Sequence, residues 1–411
     1  MLEKKAIFVV VDGMGDRVVK DGKTTLQLAK KPILDELATE GCTGLMYTLG
    51  PGIIPGSDTA HLALFGYDPE IYYKGRGPFE ALGVGFELRE GDVAFRCNFA
   101  TVDDKFRVID RRAGRLKDEG PVLASSLQDL TIDGVKVIFI SSTEHRGTLI
   151  LRGNGLSPDI SDTDPHSPQK IPPLESKPLK KTPEAEKTAR IVNKFVKKSW
   201  EILHSHPLNK EREKQGKFPA NVVLTRGAGI YTKVDSLKDR YGIKSCCIAG
   251  SALYKGVARY VGMDILKVEG ATGRIDTNIE AKANAAIDAL KKYDFVFVHI
   301  KGTDNASHDG NLEGKLFMIE KVNRLAEILK DKTENQDVVI SVTADHSTPI
   351  CIKRHSSDPV PVLLYAKDLR KDKVTSFDEV SVASGCLGCI SGIGLNRIIM
   401  DLMGCSHMVG S

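Results

Sequence analysis

Apolar runs that end in polar side chains are the feature that most constrains the fold of this 411-residue chain. Runs typical of buried strands lie at 6–11, 135–140, 244–249, 295–300, 338–343 and 361–365. Several of them alternate with helical patterns, which predicts an α/β fold with a largely parallel sheet flanked by helices. In open sheets of this kind, ligands bind beyond the carboxyl ends of the strands. We therefore expect a functional site at that edge.

Four segments that lie far apart in the chain carry the oxygen and nitrogen ligands that a divalent metal needs. Carboxylates combined with imidazoles suit Mn²⁺, Zn²⁺ or Co²⁺ better than Ca²⁺ or Mg²⁺. The sequence predicts two ions, with Mn²⁺ preferred and Zn²⁺, Co²⁺ or Mg²⁺ as alternatives. The predicted ligands are Asp304, His308 and His355 for one ion, and Asp12, Asp345 and His346 for the other, with Ser57 touching the second.

Ser57 begins the segment SDTAHLAL, which predicts the first turns of a helix. Free N–H groups and the dipole at a helix start would steady an alkoxide and a phosphate. Two ions would also lower the pKa of a bound hydroxyl, which favours Ser57 as a nucleophile for phosphoryl transfer. Taken singly, each position has an ordinary interpretation: Asp12 as a strand-to-turn junction, Ser57 as a helix cap, and His61 as a core or supporting histidine. Their conjunction favours the metal site.

The overall charge argues against a polyanionic partner. The chain carries 58 basic and 54 acidic residues, a net charge of +4, so neither nucleic acid nor an anionic membrane is favoured. No apolar run of about 18 residues is present, and the N-terminal segment MLEKKAIFVVVDG differs from a signal peptide. We expect a soluble, cytoplasmic protein that acts on a small molecule. The sequence does not set an oligomeric state.

Local patterns place helices and divide the chain. Residues 277–280 match a capping box, with Thr277 as the expected cap, and a second helix is predicted near 316–330. Thr182 is predicted to cap a helix whose first residue is Pro183. Shorter strands and Gly-, Arg- and Pro-rich pieces set the middle of the chain apart. We predict a metal-binding domain at 1–75 and 230–411, and an inserted α/β (α+β) substrate-binding or lid domain at 76–229.

The eight cysteines predict small core residues of a reducing compartment, with Cys42, Cys97, Cys246, Cys247 and Cys351 in apolar segments. Cys386 and Cys389, with Cys405 and His407 downstream, could instead bind zinc. A structural zinc site usually needs two such pairs, so thiols in a Gly-rich loop are the preferred interpretation.

Taken together, these segments resemble the archaeal-type cofactor-independent phosphoglycerate mutases of the alkaline phosphatase superfamily. The resemblance covers essentially the whole chain. It rests on segments that follow one another in the family's order, including IFVVVDGMGD, GSDTAHLALFGYDP, YYKGRGPFEALG, NFATVD with DRRAGR, EHRGTLILRG followed by SDTDPH, GSALYKGVARYVGMD, GATGRIDTN and TADHSTP.

The resemblance implies interconversion of 3-phosphoglycerate and 2-phosphoglycerate through a phosphoserine, without 2,3-bisphosphoglycerate. It implies that Ser57 is the nucleophile, that the seven predicted ligands hold two ions, and that Lys255 offsets charge on the transferring phosphate. Substrate contacts are expected in the inserted domain, which would close as a lid and exclude water. The residues expected to make them are Arg111, Arg115, His145, Arg146 and Arg226. The loop at Cys386 to Cys389 departs from the family pattern, which has a Gly-rich loop with an arginine there.

Two alternatives remain open from the sequence. A metal-dependent phosphatase or another phosphomutase would use the same serine and the same ions. A binding protein that keeps the fold without turnover is the second, although all seven ligand positions are filled.

Overall fold

The computed structural model describes residues 3–167, 170–406, 408 and 410. The chain divides into two compact units. Unit 1 comprises the residues up to Tyr73 together with those from Val234 onward, and unit 2 comprises Lys74–Lys233. The substrate-binding and lid roles expected for the inserted segment remain predictions.

The strands of the described residues are β1 Lys5–Val11, β2 Cys42–Tyr47, β3 Val93–Val102, β4 Val108–Asp110, β5 Leu130–Ile132, β6 Val135–Ser141, β7 Arg146–Arg152, β8 Val222–Ile230, β9 Ser245–Ile248, β10 Asp264–Ile265, β11 Phe295–Ile300, β12 Val338–Thr343, β13 Val360–Tyr365 and β14 Gly388–Ser391. The helices are α1 Thr25–Leu28, α2 Pro32–Glu40, α3 Ser57–Leu64, α4 Pro69–Tyr72, α5 Gly77–Gly83, α6 Gly120–Ser125, α7 Pro183–His204, α8 Pro207–Lys214, α9 Leu237–Tyr241, α10 Ala252–Tyr260, α11 Ile279–Ala289, α12 Gly302–Asp309, α13 Leu312–Thr333 and α14 Gly392–Leu402, with a 3₁₀ turn at Ser381–Ser384.

Unit 1 is built on an eight-stranded sheet in the order β10-β9-β11-β1-β12-β13-β2-β14. β1 pairs in parallel with β11 on one side and with β12 on the other, and only β13 runs antiparallel to both of its neighbours. β11 and β12 are buried along their full length, as expected for strands covered on both faces. The predicted α/β class with a mostly parallel sheet is confirmed.

Unit 2 carries a six-stranded antiparallel sheet that includes the order β4-β3-β7-β6-β5, and its sixth strand, β8, also pairs with β3. Residues of β3 and α7 share one hydrophobic core, and α7 is capped by Thr182 with Pro183 in the first turn, as predicted. The run at 135–140 was expected among the buried strands of the parallel sheet, and it belongs here instead as β6. Its burial alternates at first, because one face of an antiparallel strand can point to solvent.

The helix cap predicted at Thr277 is wrong by one residue. Asn278 is the cap of α11, and its side-chain oxygen accepts from the backbone N–H of Ala281. Both residue types can cap a helix, so sequence alone does not separate adjacent candidates. The helix predicted near 316–330 extends to Leu312–Thr333.

The cysteine prediction is corrected at three positions. Cys42 and Cys386, which are 344 residues apart, form a disulfide and are not free thiols. Cys351 is exposed rather than part of the core, whereas Cys97, Cys246 and Cys247 are buried as predicted. The alternative zinc site also used His407, which lies outside the described residues. Among the described helices, none has the length and apolar character needed to cross a membrane.

Candidate metal centre and arginine cluster

Three neighbouring strands bring the predicted ligands to one edge of the unit 1 sheet. Asp12 follows β1, Lys301 and Asp304 follow β11, and Asp345 follows β12. Val10 of β1 lies opposite His299 of β11 and Thr343 of β12, so the three strands end nearly level. Six side chains meet there, and we call them the donor cluster: Asp12, Asp304, His308, Asp345, His346 and His355.

The donor cluster divides into two groups of three. Within each group, one ligand atom from each residue lies within 4.8 Å of the others. The groups are Asp304 with His308 and His355, and Asp12 with Asp345 and His346, which is the partition expected from the sequence. The structure brings these side chains together, and their coordination of ions remains a prediction.

The histidines of the donor cluster are oriented by their other ring nitrogen. Nδ1 of His308 is 2.9 Å from the carbonyl oxygen of Lys353, and Nδ1 of His355 is 2.9 Å from that of Pro55. A carbonyl only accepts, so each Nδ1 carries a proton and each Nε2 is the nitrogen that faces the donor cluster. Both Nε2 atoms face Asp304 Oδ1, at 3.3 and 3.7 Å. This arrangement is typical of metal-binding histidines.

Thr348 links the two groups and was not predicted. Its Oγ1 donates to Asp304 Oδ1 at 3.0 Å and lies 3.0 Å from His346 Nδ1. Because the hydroxyl has only one proton, His346 Nδ1 is the donor in the second contact. Burial lowers the pKa of His346, so the ring is neutral and its Nε2 carries no proton. This nitrogen lies 3.2 Å from Asp345 Oδ2 and 3.5 Å from Asp12 Oδ1.

Two buried oxygens of the second group make no hydrogen bond within the described part of the chain. They are Asp12 Oδ1 and Asp345 Oδ2. Burial, reinforced by the charge of Asp12, raises the pKa of Asp345 to about 7. Leaving a buried carboxylate oxygen without a partner is costly, and a divalent cation would remove that cost. The donor atoms and their chemistry thus fit a metal ion.

Gly13 allows the chain to approach these carboxylates closely. Its φ of +62° is in the left-handed region, and a Cβ there would lie 2.6 Å from Thr348 Oγ1 and 2.9 Å from Asp304 Oδ1. The backbone N–H of Gly13 donates to Asp345 Oδ1 at 3.1 Å. Any side chain at this position would displace the ligands.

Ser57 is the first residue of α3, and Gly56 takes the cap position that was the ordinary interpretation of Ser57. Its Oγ lies 3.3 Å from His346 Nε2, beside the second group. His61, one turn later, donates from Nδ1 to the Ser57 carbonyl at 2.6 Å and packs against Tyr254 and Phe297. This matches the supporting role considered for His61.

Two further residues, one near the end of β11 and one directly after it, contact the donor cluster and were not predicted from the sequence. His299 Nε2 lies 3.1 Å from Asp12 Oδ2, and the Lys301 ammonium contacts both Asp12 and Asp304. Their position at the end of a strand beside β1 was the available signal. Lys255, the predicted catalytic lysine, lies on α10, and no hydrogen bond or ion pair found in the described residues joins its ammonium to these carboxylates. Its role remains a prediction.

Unit 2 holds a second cluster, of opposite charge. Arg96 on β3 lies directly opposite Arg226 on β8. Burial, then the charges of neighbouring arginines offset in part by Glu80, lowers the pKa of Arg96 to about 9. We call the following residues the arginine cluster: Arg76, Arg96, Arg146, Arg226 and His145.

The arginine cluster contains buried donors without acceptors. Nε of Arg96 and Nε of Arg226 make no hydrogen bond among the described residues, and Arg96 Nε is 3.7 Å from its nearest ion-pair partner, Glu80 Oε1. His145 Nδ1 is likewise unbonded, and burial followed by the charge of Arg146 lowers the pKa of His145 to about 4. The cluster is suited to an anion.

The predicted substrate residues fall into two sets. Arg226, His145 and Arg146 lie in the arginine cluster, and Arg96 joins them although the sequence reasoning passed over it. Arg111 is already held by Asp164 in a two-pronged ion pair at 2.6 and 2.7 Å. Arg115 is exposed. The assignment of these residues to a substrate stays a prediction.

Comparison with known proteins identifies the family. The model of 2,3-bisphosphoglycerate-independent phosphoglycerate mutase matches residues 38–209. The Methanocaldococcus jannaschii protein named 2,3-bisphosphoglycerate-independent phosphoglycerate mutase 1 is 48% identical over 412 residues, with 100% of both chains covered. A Pyrococcus horikoshii protein of solved structure is 37% identical over 100% of both chains, with a TM-score of 0.87. The cofactor-independent phosphoglycerate mutase from Thermoplasma acidophilum is 38% identical, covers 98% of this chain and 100% of its own, and has a TM-score of 0.72. The chain therefore belongs to the 2,3-bisphosphoglycerate-independent phosphoglycerate mutase family.

Proposed function

We propose that this protein interconverts 3-phosphoglycerate and 2-phosphoglycerate, with Ser57 as a transient phosphate carrier and without 2,3-bisphosphoglycerate. The observation that carries the proposal is the position of Ser57. Its Oγ lies at the start of α3 and beside the buried, unbonded carboxylate oxygens of the donor cluster. Family membership supports the reaction class, and the geometry of the site supports the choice of Ser57 as the phosphate carrier.

We infer that the donor cluster holds two divalent ions, with Mn²⁺ preferred because its ligands are mixed carboxylates and imidazoles. Bound there, the ions would lower the pKa of the Ser57 hydroxyl and offset charge on the phosphoryl oxygens. Asp345 would be held in position by its Oδ1, which accepts from the backbone N–H groups of Gly13 and His346. Its Oδ2 is thereby directed towards His346 Nε2, which is 3.2 Å away.

The reaction consists of two transfers at phosphorus. In the first, Ser57 Oγ loses its proton and bonds to phosphorus, the bond from phosphorus to the substrate oxygen breaks, and the leaving glycerate oxygen takes up one proton to become a hydroxyl. In the second, the other hydroxyl of glycerate loses its proton and bonds to the same phosphorus, the bond from phosphorus to Ser57 Oγ breaks, and Ser57 Oγ takes up one proton to become a hydroxyl again. Atoms balance over the two steps, because the phosphoryl group only changes its oxygen partner.

The arginine cluster is the proposed binding site for the negative charge of phosphoglycerate. A guanidinium can donate two parallel hydrogen bonds to a carboxylate or a phosphate, which fixes orientation as well as charge. Arg96 and Arg226 have buried Nε donors that no acceptor among the described residues uses. His145 would stay neutral at pH 7, because its pKa is lowered to about 4, so it would bind by hydrogen bonding rather than by charge.

An assay that follows two products tests the proposal. The metal-stripped protein is incubated with Mn²⁺ and 3-phosphoglycerate, without bisphosphoglycerate, while 2-phosphoglycerate and free phosphate are measured together. Ser57→Ala is the test variant. Thr59→Ala is the matched control, since Thr59 lies in the same helical turn and its hydroxyl donates to the Gly56 carbonyl at 3.0 Å, away from the carboxylates of the donor cluster.

The mutase proposal requires 2-phosphoglycerate with little free phosphate, lost in Ser57→Ala and kept in Thr59→Ala. Free phosphate alone would indicate a phosphatase that uses the same serine. Silence in both channels with Mn²⁺, Zn²⁺, Co²⁺ and Mg²⁺ would contradict the proposal and favour a non-catalytic protein.

A further inference from the structure

The Lys301 side chain lies between the two groups of the donor cluster. Its Nζ is 3.1 Å from Asp12 Oδ2 and 2.8 Å from Asp304 Oδ2, and it is 2.9 Å from the hydroxyl oxygen of Tyr254. Its side chain is 22% exposed, whereas Asp12 and Asp304 are almost completely buried. One ammonium therefore contacts a carboxylate from each group.

These three contacts use all the hydrogen-bonding capacity of the ammonium. A lysine ammonium has three N–H donors and no acceptor, and here each donor has its own acceptor. No donor is left for a substrate phosphate in this arrangement. Lys301 is therefore placed to position protein groups rather than to contact the substrate.

The same contacts separate the two oxygens of each carboxylate. Lys301 takes Oδ2 of Asp12 and Oδ2 of Asp304. The other oxygens face the histidines: Asp12 Oδ1 lies 3.5 Å from His346 Nε2, and Asp304 Oδ1 lies 3.3 Å from His308 Nε2. Each carboxylate thus presents one oxygen to its own group while Lys301 holds the other.

Lys301 also matters for charge. The donor cluster brings three carboxylates together, and removing one partner from a buried ion pair is strongly destabilising because a charge is left unbalanced. Tyr254 supports the lysine from the third side, since its ring stacks on His299 with centroids 3.5 Å apart. The ammonium is therefore fixed by a packed aromatic ring as well as by two ion pairs.

We propose that Lys301 is the shared positioning residue of the donor cluster: it keeps Asp12 and Asp304 converged, each with one oxygen directed to its own group, and it is the counter-ion of these carboxylates when no metal is bound. The inference rests on the proposed metal role of the cluster, not on turnover. It predicts that the lysine matters more for the stability of the metal-free protein than for that of the Mn²⁺-loaded protein.

Thermal unfolding in two conditions tests this inference. Lys301→Met is prepared with Mn²⁺, and its melting temperature is measured with Mn²⁺ and after removal of the metal by a chelator. The metal-free variant should melt at least about 5 °C below metal-free wild type. With Mn²⁺ bound, the deficit should be much smaller, because the ions take over the neutralisation of the carboxylates.

Lys282→Met is the matched control. Lys282 is also a buried lysine, but its Nζ donates to the carbonyl oxygens of His299 and Thr272, and it forms no ion pair with a carboxylate of the described residues. Its removal should cost the same with and without Mn²⁺. Tyr254→Phe, which removes only the acceptor hydroxyl, should show a smaller deficit confined to the metal-free state, and it decides the question if Lys301→Met does not fold.

Equal deficits for Lys301→Met in the two conditions would show an ordinary packed lysine and would overturn the inference. So would the absence of a deficit in the metal-free protein. These measurements need no turnover, so a wild type that binds Mn²⁺ but produces no 2-phosphoglycerate would refute the proposed function and leave the Lys301 inference standing.

Discussion

The donor cluster of unit 1 and the arginine cluster of unit 2 are built with opposite imbalances of charge. In the donor cluster, the buried acceptors Asp12 Oδ1 and Asp345 Oδ2 have no donor within the part of the chain that the structure describes. In the arginine cluster, the buried donors Arg96 Nε and Arg226 Nε have no acceptor within that same part. Most buried polar groups in proteins are hydrogen-bonded, so such exceptions indicate a missing partner. The donor cluster is therefore suited to cations, and the arginine cluster is suited to an anion.

The largest expected effect comes from Asp345→Asn, which keeps the shape of the side chain and removes its charge. The backbone N–H groups of Gly13 and His346 should hold the amide oxygen at the Oδ1 position, so the NH₂ group faces the proposed ion. Mn²⁺ affinity should fall about a thousandfold, measured by calorimetric titration. The metal-free protein should become more stable, because a carboxyl whose pKa burial raises to about 7 is replaced by a neutral amide.

Asp378→Asn is the control for that change. Asp378 is buried, but both of its oxygens accept hydrogen bonds, from Val380, Ser381 and the Ser381 hydroxyl. This variant should lose stability and keep Mn²⁺ affinity. If Asp345→Asn behaved in the same way, Asp345 would be a structural carboxylate. The donor cluster would then not be a cation site.

Arg96→Met makes the corresponding change in the arginine cluster. Removing a buried guanidinium with an unused donor should leave the free protein as stable or more stable. Binding of phosphoglycerate should weaken, with KM rising about a hundredfold. Arg212 offers the contrast, since it is buried with Glu119, Phe218 and Ala113 as partners. Arg212→Met should lose stability without a change in KM, and the same outcome in Arg96→Met would remove the anion site.

A smaller effect is expected from Thr348→Val, which removes the hydroxyl that connects the two groups of the donor cluster. His346 would lose the acceptor that fixes its tautomer, and Asp304 would lose a donor. Mn²⁺ affinity should fall about tenfold, within the range typical of supporting residues at metal sites. Thr348→Ser should restore most of it. If Thr348→Val bound Mn²⁺ as tightly as wild type, the hydroxyl would have no part in orienting His346.

The smallest effect is a difference in pKa between two histidines, His308 in the donor cluster and His145 in the arginine cluster. The Asp304 carboxylate raises the pKa of His308, whereas burial and then the Arg146 charge lower the pKa of His145 to about 4. His145 thus contributes stability that is present above its unfolded pKa of about 6.5 and is lost as the pH falls towards 4. His308 contributes stability that is present below about 6.5 and is lost as the pH rises through its folded pKa.

Proton NMR titration of the metal-free protein measures both histidine rings directly, with His145→Gln and His308→Gln for assignment. The His145 ring should stay neutral down to a pH of about 4, and the His308 ring should titrate above 6.5. The same pKa for both histidines would mean that the two clusters do not impose different fields.

The sequence predicted the fold class and the place where the donor side chains meet, because parallel strands end at one edge of a sheet and Asp12, Asp304 and Asp345 each follow such a strand. Roles that depend on contacts between distant segments were not predictable. Lys301, Thr348 and Arg96 gain their significance only from what lies beside them across strands and loops.

Other features could not be predicted from the sequence for the same physical reason. The disulfide between Cys42 and Cys386 joins residues 344 positions apart, and no local pattern announces such a pair. Lys255 and Lys301 are both lysines near predicted strand ends, and only the packing of Tyr254 and the two carboxylates distinguishes Lys301. Local features such as the Thr182 cap could be predicted because they depend on residues that are neighbours in the sequence.

Detection of phosphate on the protein would show whether Ser57 carries the phosphoryl group between the two hydroxyls of glycerate. The Mn²⁺-loaded enzyme is mixed with 3-phosphoglycerate, quenched within a single turnover, digested, and analysed by mass spectrometry of the peptides. We expect phosphate on Ser57, absent without Mn²⁺ and decaying as 2-phosphoglycerate forms. Formation of 2-phosphoglycerate with Ser57 unmodified at every quench time, or with phosphate on another residue, would contradict it.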